Sequence, residues 1–396
     1  MQIDQFAPLL GDDEIASVVE TLKSNWITEG AKTRTLEGML QDYCGVKHAI
    51  MLPNGTLALF VALKILDVGP GDEVVVPAFT FVGSATSVVL TGAKPVFCDI
   101  NLDDFNINIE SLESVVSERT KAIMPVHIYG MPCDMDPINA IARKHKLTVV
   151  EDACQAWLAE YKGRKCGTLG DLGCFSFQES KHIPSGEGGA ITGMSEQLID
   201  KCNSYHNCGR ACGTNTGKGS FTRGNNYRMT QVQAVLLLQQ IDKLIKETAI
   251  RQANADYLNS QLGKIPGITP VRLPENAKAV WHIFPFRYNS SEFNGLPREK
   301  FLKALSAEGV PCGSMYTEQY FDGLLDEAIA SRGFQRLWSK ERLKAYRDSL
   351  NELNGNKQVC ATTVGFTQNL LLGSRRDMDD ILEAIQRIQT HRAALV

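Results

Sequence analysis

Short runs of Val, Ile and other apolar residues recur between longer amphipathic stretches over about the first 230 residues of this chain. Runs of this kind predict strands, and strands that alternate with helical segments such as 56–66 and 136–144 predict a mostly parallel sheet covered by helices on both faces. The pattern therefore predicts an α/β layered domain. The predicted strands are HAIMLP (48–53), EVVVPAF (73–79), KPVFCDI (94–100), KAIMPVHI (121–128), LTVVEDA (147–153) and GCFSF (173–177).

The alternation stops near residue 230, where a long helical stretch begins. Residues 229–262 carry apolar side chains at three- and four-residue spacing, which predicts one helix that bridges two lobes. A strand-like run at 282–288, a helix around 298–309 and a final helix with Ser374 as its N-cap follow. We therefore predict a large domain over 1–235 and a smaller C-terminal α+β domain over 236–396.

The composition is that of an ordinary globular protein. The chain has 396 residues, 43% of them hydrophobic and 22% charged, and a net charge of -4, which gives no basis for nucleic-acid binding. No basic-then-apolar leader opens it, and no run reaches the roughly 18 apolar residues that a membrane span needs. We therefore expect a cytoplasmic protein without membrane contact, in which the 11 cysteines are mostly buried free thiols.

Two local patterns suggest other ligands, and we weigh each against its ordinary explanation. Four possible zinc ligands fall within eleven residues. They contain no CxxC pair, and no second pair of ligands lies nearby in the sequence, so we predict no metal site. GTNTGKGS at 213–220 lacks the glycine spacing of a P-loop and has Gly219 where Ser or Thr should follow the lysine. The four possible zinc ligands are Cys202, His206, Cys208 and Cys212.

A turn that could hold a phosphate follows the first predicted strand. Asn54, Gly55 and Thr56 end that strand and start a helix, where backbone N–H groups and a hydroxyl are available to an anion. The alternative is an ordinary helix N-cap in a tight turn, and the sequence favours it slightly.

A carboxylate and a lysine end later strands. Asp152 ends the strand LTVVED, and Lys181 stands 29 residues further on, in FSFQESKHIPSGEGGAITG, between an apolar strand and a Gly-rich turn. Lysine in a loop is usually exposed, but a desolvated lysine has a lowered pKa and becomes an amine nucleophile. Pyridoxal phosphate requires an amine, a helix N-terminus for its phosphate and a carboxylate for its ring nitrogen. Phe81, which alone would be interpreted as a core residue, could cover the ring.

These segments resemble the DegT-type aminotransferases of sugar and cyclitol biosynthesis, which have the aspartate-aminotransferase fold (fold type I) and use pyridoxal 5'-phosphate. The resemblance covers nearly the whole chain and implies a large domain with a seven-stranded, mostly parallel sheet. The matching segments are SNWITEG (24–30), PNGTLAL (53–59), GPGDEVVVPAFTFVGSA (69–85), GAKPVFCDI (92–100), TKAIMPVHIYGMPCDMD (120–136), VVEDACQA (149–156), GDLGCFSFQESKHIPSGEGGAI (170–191) and NNYRMTQVQAV (225–235).

The resemblance implies a role for each matching residue. Lys181 would hold the cofactor covalently and move the proton between substrate and cofactor, and Asp152 would pair with the ring nitrogen. The other implied cofactor-binding residues are Gln155 near the ring hydroxyl, Phe81 against the ring, Gly55, Thr56 and Ser176 at the phosphate, and Asn226 from the neighbouring subunit of a homodimer. Glu187, Tyr129, His127 and Arg228 are the implied substrate-side residues, Arg228 being a second choice for the shared phosphate position.

The implied reaction is transfer of an amino group from L-glutamate, or glutamine, to a sugar carbonyl. The acceptor would be a nucleotide-linked keto-hexose, a keto-cyclitol, or an oxidised 3-deoxy-octulosonate that yields 8-amino-3,8-dideoxy-manno-octulosonate for lipopolysaccharide. A dehydratase branch of the family replaces the lysine with histidine, and Lys181 favours transamination although His182 follows it. A cofactor-binding regulator without turnover is the other alternative. Trp157 and the long 315–373 segment depart from the family pattern and leave the sugar open.

Overall fold

The structure is a computed structural model that describes residues 10–211 and 222–395. All six strands predicted from the apolar runs are present in it. In chain order the strands are β1 (His48–Leu52), β2 (Glu73–Pro77), β3 (Lys94–Cys98), β4 (Thr120–Ile123), β5 (Thr148–Asp152), β6 (Glu160–Tyr161), β7 (Arg164–Lys165), β8 (Leu172–Ser176), β9 (Gly189–Gly193), β10 (Ile268–Pro270), β11 (Ala277–Lys278), β12 (Ile283–Tyr288) and β13 (Thr363–Thr367).

The helices surround these strands and join the two lobes. In chain order they are α1 (Asp12–Lys23), α2 (Ala31–Cys44), α3 (Gly55–Ile65), α4 (Val82–Thr91), α5 (Ile109–Val115), α6 (Met135–His145), α7 (Glu196–His206), α8 (Gln231–Leu262), α9 (Arg298–Ala307), α10 (Leu324–Ala330), α11 (Arg332–Leu337), α12 (Lys340–Ser349), α13 (Asn354–Thr362) and α14 (Arg375–Thr390). Within the two described ranges, none of these helices is both long enough and apolar enough to cross a membrane.

One seven-stranded sheet forms the centre of the large lobe, in the order β1-β9-β8-β5-β4-β2-β3. All neighbouring pairs are parallel except the two that involve β9, which is antiparallel to β1 and to β8. In β2 the successive residues Val74, Val75 and Val76 are all fully buried, as expected of a strand covered on both faces. The predicted α/β fold with a mostly parallel seven-stranded sheet is confirmed.

The long helix α8 connects the two hydrophobic cores. Leu237 and Leu244, in its first half, pack with the core of the large lobe, whereas Ala255 and Leu262 pack with the core of the smaller lobe. The helix therefore passes from one core to the other between residues 244 and 255. The domain boundary predicted at 235 falls near the start of this continuous helix and remains a prediction.

The smaller lobe is an antiparallel sheet, β10-β12-β13, packed with α9 and α14. The expected cap of α14 is present, since the Ser374 side chain accepts the Asp377 N–H. Within the long 315–373 segment, Tyr346 packs with Phe97 of β3 and donates its hydroxyl to the Pro95 carbonyl at 2.5 Å. The segment is thereby attached to one edge of the large sheet.

Candidate active site

A fixed carboxylate lies at the carboxyl end of β5. The Ser84 hydroxyl donates to Asp152 Oδ2 at 2.7 Å, and the Cys154 N–H donates to Oδ1 at 3.1 Å. Ser84 is held in turn by the Thr80 hydroxyl at 2.7 Å. A carboxylate has about four lone-pair sites, so Asp152 retains acceptor capacity for a further N–H donor.

Lys181 lies in the loop that joins β8 to β9. Its backbone N–H closes a turn on the Gln178 carbonyl at 2.8 Å, and the residue is half-buried. Burial lowers the pKa of the Lys181 amine, although Cys154, Asp152 and Glu187 lie close enough to favour its charged form. A lowered pKa increases the fraction of neutral, nucleophilic amine at neutral pH. The Gly-rich loop therefore holds a partly buried amine near Asp152.

His182 is held by a partner of its own. Its Nε2 hydrogen-bonds to the Val280 carbonyl at 3.0 Å, and burial holds the pKa of the imidazole well below its usual value. Lys181 is the residue of this pair whose amine lies close enough to Asp152 for the two charges to interact.

The start of α3 has features of both an N-cap and an anion site. The Asn54 side chain accepts the Leu57 N–H at 2.9 Å, which is the N-cap that the sequence favoured. The first amides of a helix have no intrahelical acceptor, so those of Gly55 and Thr56 remain available to an anion. The two interpretations are therefore compatible.

Close packing brings the strand ends against this helix. A Cβ at Gly55 would lie 2.7 Å from Cys154 Sγ and 2.9 Å from Ser176 Cβ, so the approach requires glycine. Ser176 ends β8 beside the first turn of α3. The structure therefore brings together three of the residues predicted to hold a phosphate, namely Gly55, Thr56 and Ser176.

Phe81 presents an open aromatic surface to the same region. The side chain is 53% exposed, which is unusual for phenylalanine, and it directly precedes α4. A Cβ at Gly83 would lie 3.0 Å from Thr56 Oγ1 and 3.1 Å from the Phe81 ring, so the phenyl group stands next to the start of α3. An uncovered ring in this place is not the core residue that Phe81 alone would suggest.

These groups fit pyridoxal phosphate part by part. The α3 amides suit a phosphate, Asp152 suits a protonated ring nitrogen, Lys181 suits an aldehyde, and Phe81 offers a flat surface for the ring. The fit rests on the open Phe81 ring, which leaves a flat aromatic surface uncovered, and on the close approach at Gly55, which holds Ser176 beside the first amides of α3.

Gln155 is held between the two lobes. Its Oε1 accepts the Tyr129 N–H at 2.7 Å, and its Nε2 donates to the Tyr316 hydroxyl at 2.7 Å. Tyr129 is buried in a left-handed backbone conformation with φ of 57°. The sequence did not indicate Tyr316, and the only available signal was a tyrosine in the long 315–373 segment.

His127 is not brought into the crevice. Its ring is fully buried, with Nε2 bonded to Glu151 at 2.9 Å and Nδ1 accepting the Cys133 N–H at 3.0 Å. Both ring nitrogens are occupied inside the protein, so the expectation that His127 lines the substrate crevice is corrected.

The remaining predicted residues lie on the surface or near it. Glu187 is exposed beside Lys181, whose charged form it favours. Asn226 is exposed and pairs with Asn207 through a backbone bridge, and Arg228 donates to the Asn207 side chain at 2.7 Å. In the described part of the chain, no hydrogen bond or ion pair joins Asn226 to Lys181.

Neither the cysteine cluster nor Trp157 belongs to this site. The His206 ring is bonded to the Asn203 carbonyl and to Glu29, and Cys212 and 213–220 lie outside the described residues. Among residues 10–211 and 222–395, no group of three His, Cys, Asp or Glu side chains could hold a metal ion. Trp157 is buried against the Phe175 ring, so this departure from the family pattern belongs to the core.

Comparisons with known proteins give matches over most of the chain. The model of the DegT/DnrJ/EryC1/StrS aminotransferase family matches residues 8–330. The chain is 40% identical over 312 residues to GDP-perosamine synthase of Caulobacter vibrioides, which covers 78% of this chain and 83% of that protein. It is 37% identical over 309 residues to the spore coat polysaccharide biosynthesis protein SpsC of Bacillus subtilis, a match that covers 76% of this chain and 79% of that protein.

A solved structure matches almost end to end. The aminotransferase from Psychrobacter cryohalolentis superposes with a TM-score of 0.84 at 32% identity and covers 98% of this chain and 100% of its own. The likeness therefore includes β13 and α14 of the smaller lobe, which lie beyond the last residue of the family match.

Proposed function

The chain belongs to the DegT/DnrJ/EryC1/StrS aminotransferase family, and from that membership we propose that it transfers an amino group from L-glutamate to the carbonyl of a nucleotide-linked keto-hexose in the cytoplasm. Its cofactor is pyridoxal 5'-phosphate. The observation that carries the proposal is the half-buried Lys181, with its lowered pKa, facing Asp152. Relatives named for perosamine and spore coat polysaccharide synthesis support a carbohydrate acceptor destined for a surface polysaccharide.

Each group of the site has a proposed task. The bound cofactor supplies the electron sink. Lys181 would hold the cofactor through its amine and would carry a proton at Nζ once the amino donor has taken its place. Asp152, fixed by Ser84, would pair with the ring nitrogen and favour its protonated form. The α3 amides and Ser176 would hold the phosphate, and the Phe81 ring would pack against the cofactor ring.

The dehydratase alternative loses its main support. It requires a histidine in the place of the lysine, and here Lys181 is present while the His182 ring is bonded to the Val280 carbonyl. A regulator without turnover would not need an amine of lowered pKa beside Asp152, so transamination remains the function that the site supports best.

The donor half-reaction can be observed by its colour. We expect the purified, cofactor-loaded protein to show a visible absorption band that L-glutamate bleaches, with one 2-oxoglutarate released per site. Addition of a nucleotide-linked 4-keto- or 3-keto-hexose should then restore the band and yield the amino sugar. A protein that pyridoxal phosphate does not colour would refute the proposed function, and a bleached protein that no nucleotide sugar restores would refute the proposed acceptor.

We also propose a homodimer with shared sites. The face of α1 and the turn after it expose an apolar strip whose members are 42% to 61% exposed, which is unusual for a face without a partner. The strip leads to the region that carries Asn226, because the Gln231 N–H at the start of α8 donates to the Ile27 carbonyl. A second copy that covers this strip would bring its Asn226 to the phosphate. The α1 apolar strip consists of Ile15, Val19, Leu22, Trp26 and Ile27.

Shared sites predict complementation between two inactive variants. In a mixed dimer of Lys181→Ala and Asn226→Ala subunits, one site would have both side chains intact. Random reassociation of an equimolar mixture should therefore restore roughly a quarter of wild-type activity, well above the mean of the two parents. Activity that stays at this mean, although mass measurements show mixed dimers, would contradict the shared site.

A further inference from the structure

Tyr316 is directed into the crevice by its local backbone. The chain before it pairs with β13 through two hydrogen bonds between Gly313 and Gly365, at 3.1 and 2.9 Å. Met315 then adopts a left-handed conformation with φ of 62°, and its side chain covers Gly365, where a Cβ would lie 2.6 Å from Met315 Cγ. These constraints turn the Tyr316 side chain towards the large lobe.

The Tyr316 ring completes an aromatic group at the lobe junction. Its centroid lies 5.7 Å from that of Phe79 and 5.2 Å from that of Tyr129, distances typical of favourable aromatic pairs. The ring position is therefore set by packing, and the hydroxyl has a defined place next to Gln155.

The hydroxyl and the Gln155 amide each retain a hydrogen. Gln155 Oε1 is used by the Tyr129 N–H and one Nε2 hydrogen by Tyr316 Oη, which leaves one amide hydrogen. In the described part of the chain, the Tyr316 hydroxyl accepts from the Gln155 amide and donates its own hydrogen to no other group. Burial raises the pKa of Tyr316, so the hydroxyl keeps this hydrogen at neutral pH.

We propose that Tyr316 and Gln155 together form a two-donor subsite for one anionic ligand oxygen, in which Tyr316 also positions the Gln155 amide. The assignment rests on the proposed function, under which that oxygen is the ring oxygen of pyridoxal phosphate. The resemblance implied only Gln155 at this oxygen, and Tyr316 is the new member. Because Tyr316 comes from the chain beyond α9 and Gln155 follows β5, the subsite exists only when the two lobes are joined.

The proposal predicts the direction of a pKa change that can be measured from the visible absorption. A donor to the ring oxygen withdraws electron density from the protonated nitrogen that joins Lys181 to the cofactor. It thereby lowers the pKa of that nitrogen. Loss of the donor should raise the pH at which the visible band of the loaded protein changes. Loss of one hydrogen bond to a charged oxygen corresponds to a shift of roughly one to two units in that pKa.

The experiment compares the loaded wild type with Tyr316→Phe and with a matched control, Tyr320→Phe. Tyr320 is a buried tyrosine of the same segment whose hydroxyl bonds to Asn356 and Glu318 instead. We expect the midpoint of the visible titration to rise by about one unit or more in Tyr316→Phe and to stay unchanged in Tyr320→Phe. Gln155→Leu removes the other donor and should raise it as well, even if Tyr316→Phe folds poorly.

A folded, coloured Tyr316→Phe protein with a wild-type midpoint would overturn the subsite, and so would an equal rise in Tyr320→Phe. A wild type that shows no visible band would instead indicate failure of the proposed function, which distinguishes the two hypotheses.

Discussion

Replacement of Lys181 by alanine should reduce transamination by roughly four orders of magnitude or more. Proton transfer by a positioned side chain alone contributes about 10²–10⁴-fold, and here the same amine also holds the cofactor. Burial lowers the pKa of this amine, which keeps part of it neutral and reactive near pH 7. The measurement is turnover with L-glutamate and the keto sugar, made on wild type, Lys181→Ala and a control, Lys162→Ala. Lys162 is an exposed lysine paired with Asp136.

A covalent assay identifies the lysine directly. Borohydride reduction fixes the cofactor to the amine that carries it, so the labelled peptide of the wild type and of Lys162→Ala should contain residue 181. Lys181→Ala should give no labelled peptide, although its other residues can still bind the cofactor. A variant that keeps its activity, or that carries the label on another lysine, would refute the assignment of Lys181.

The sequence predicted the large lobe well because its strands are buried on both faces. Runs such as the three valines of β2 leave little choice of structure once turn residues bound them. No valine- or isoleucine-rich run predicts the strand β9, because it is only Gly189–Gly193, with glycine at both ends. Its antiparallel direction depends on pairing with β1 and β8, which no local pattern encodes.

The site was predictable to the extent that its residues end successive strands. Parallel strands bring their carboxyl ends to one edge, so Gly55, Asp152 and Ser176 could be grouped from their order along the chain. The contact of Gln155 with Tyr316 spans 161 residues and crosses the lobes, so no spacing rule could reveal it. His127 shows that a position at a strand end is not sufficient to identify a site residue, because a histidine there can face either the crevice or the core.

The Glu151 carboxylate explains why β5 presents Asp152 in a fixed place. It is fully buried and accepts four hydrogen bonds at 2.5 to 2.9 Å, one from His127 Nε2 and three from backbone N–H groups. The loop after β7 is thereby tied to the strand that ends in Asp152. The three backbone donors are those of Gly167, Leu169 and Gly170.

Glu151→Gln should therefore destabilise the protein by about 3–5 kcal/mol, because an amide hydrogen would face buried N–H donors that have no other acceptor. The control is Glu113→Gln, which removes a carboxylate from an exposed ion pair with Lys144 and should leave the stability nearly unchanged. Thermal and urea unfolding of both variants measure the difference, and the cofactor's visible band reports whether Asp152 keeps its place. Equal stability of the two variants would show that the four bonds to Glu151 are not what fixes this loop.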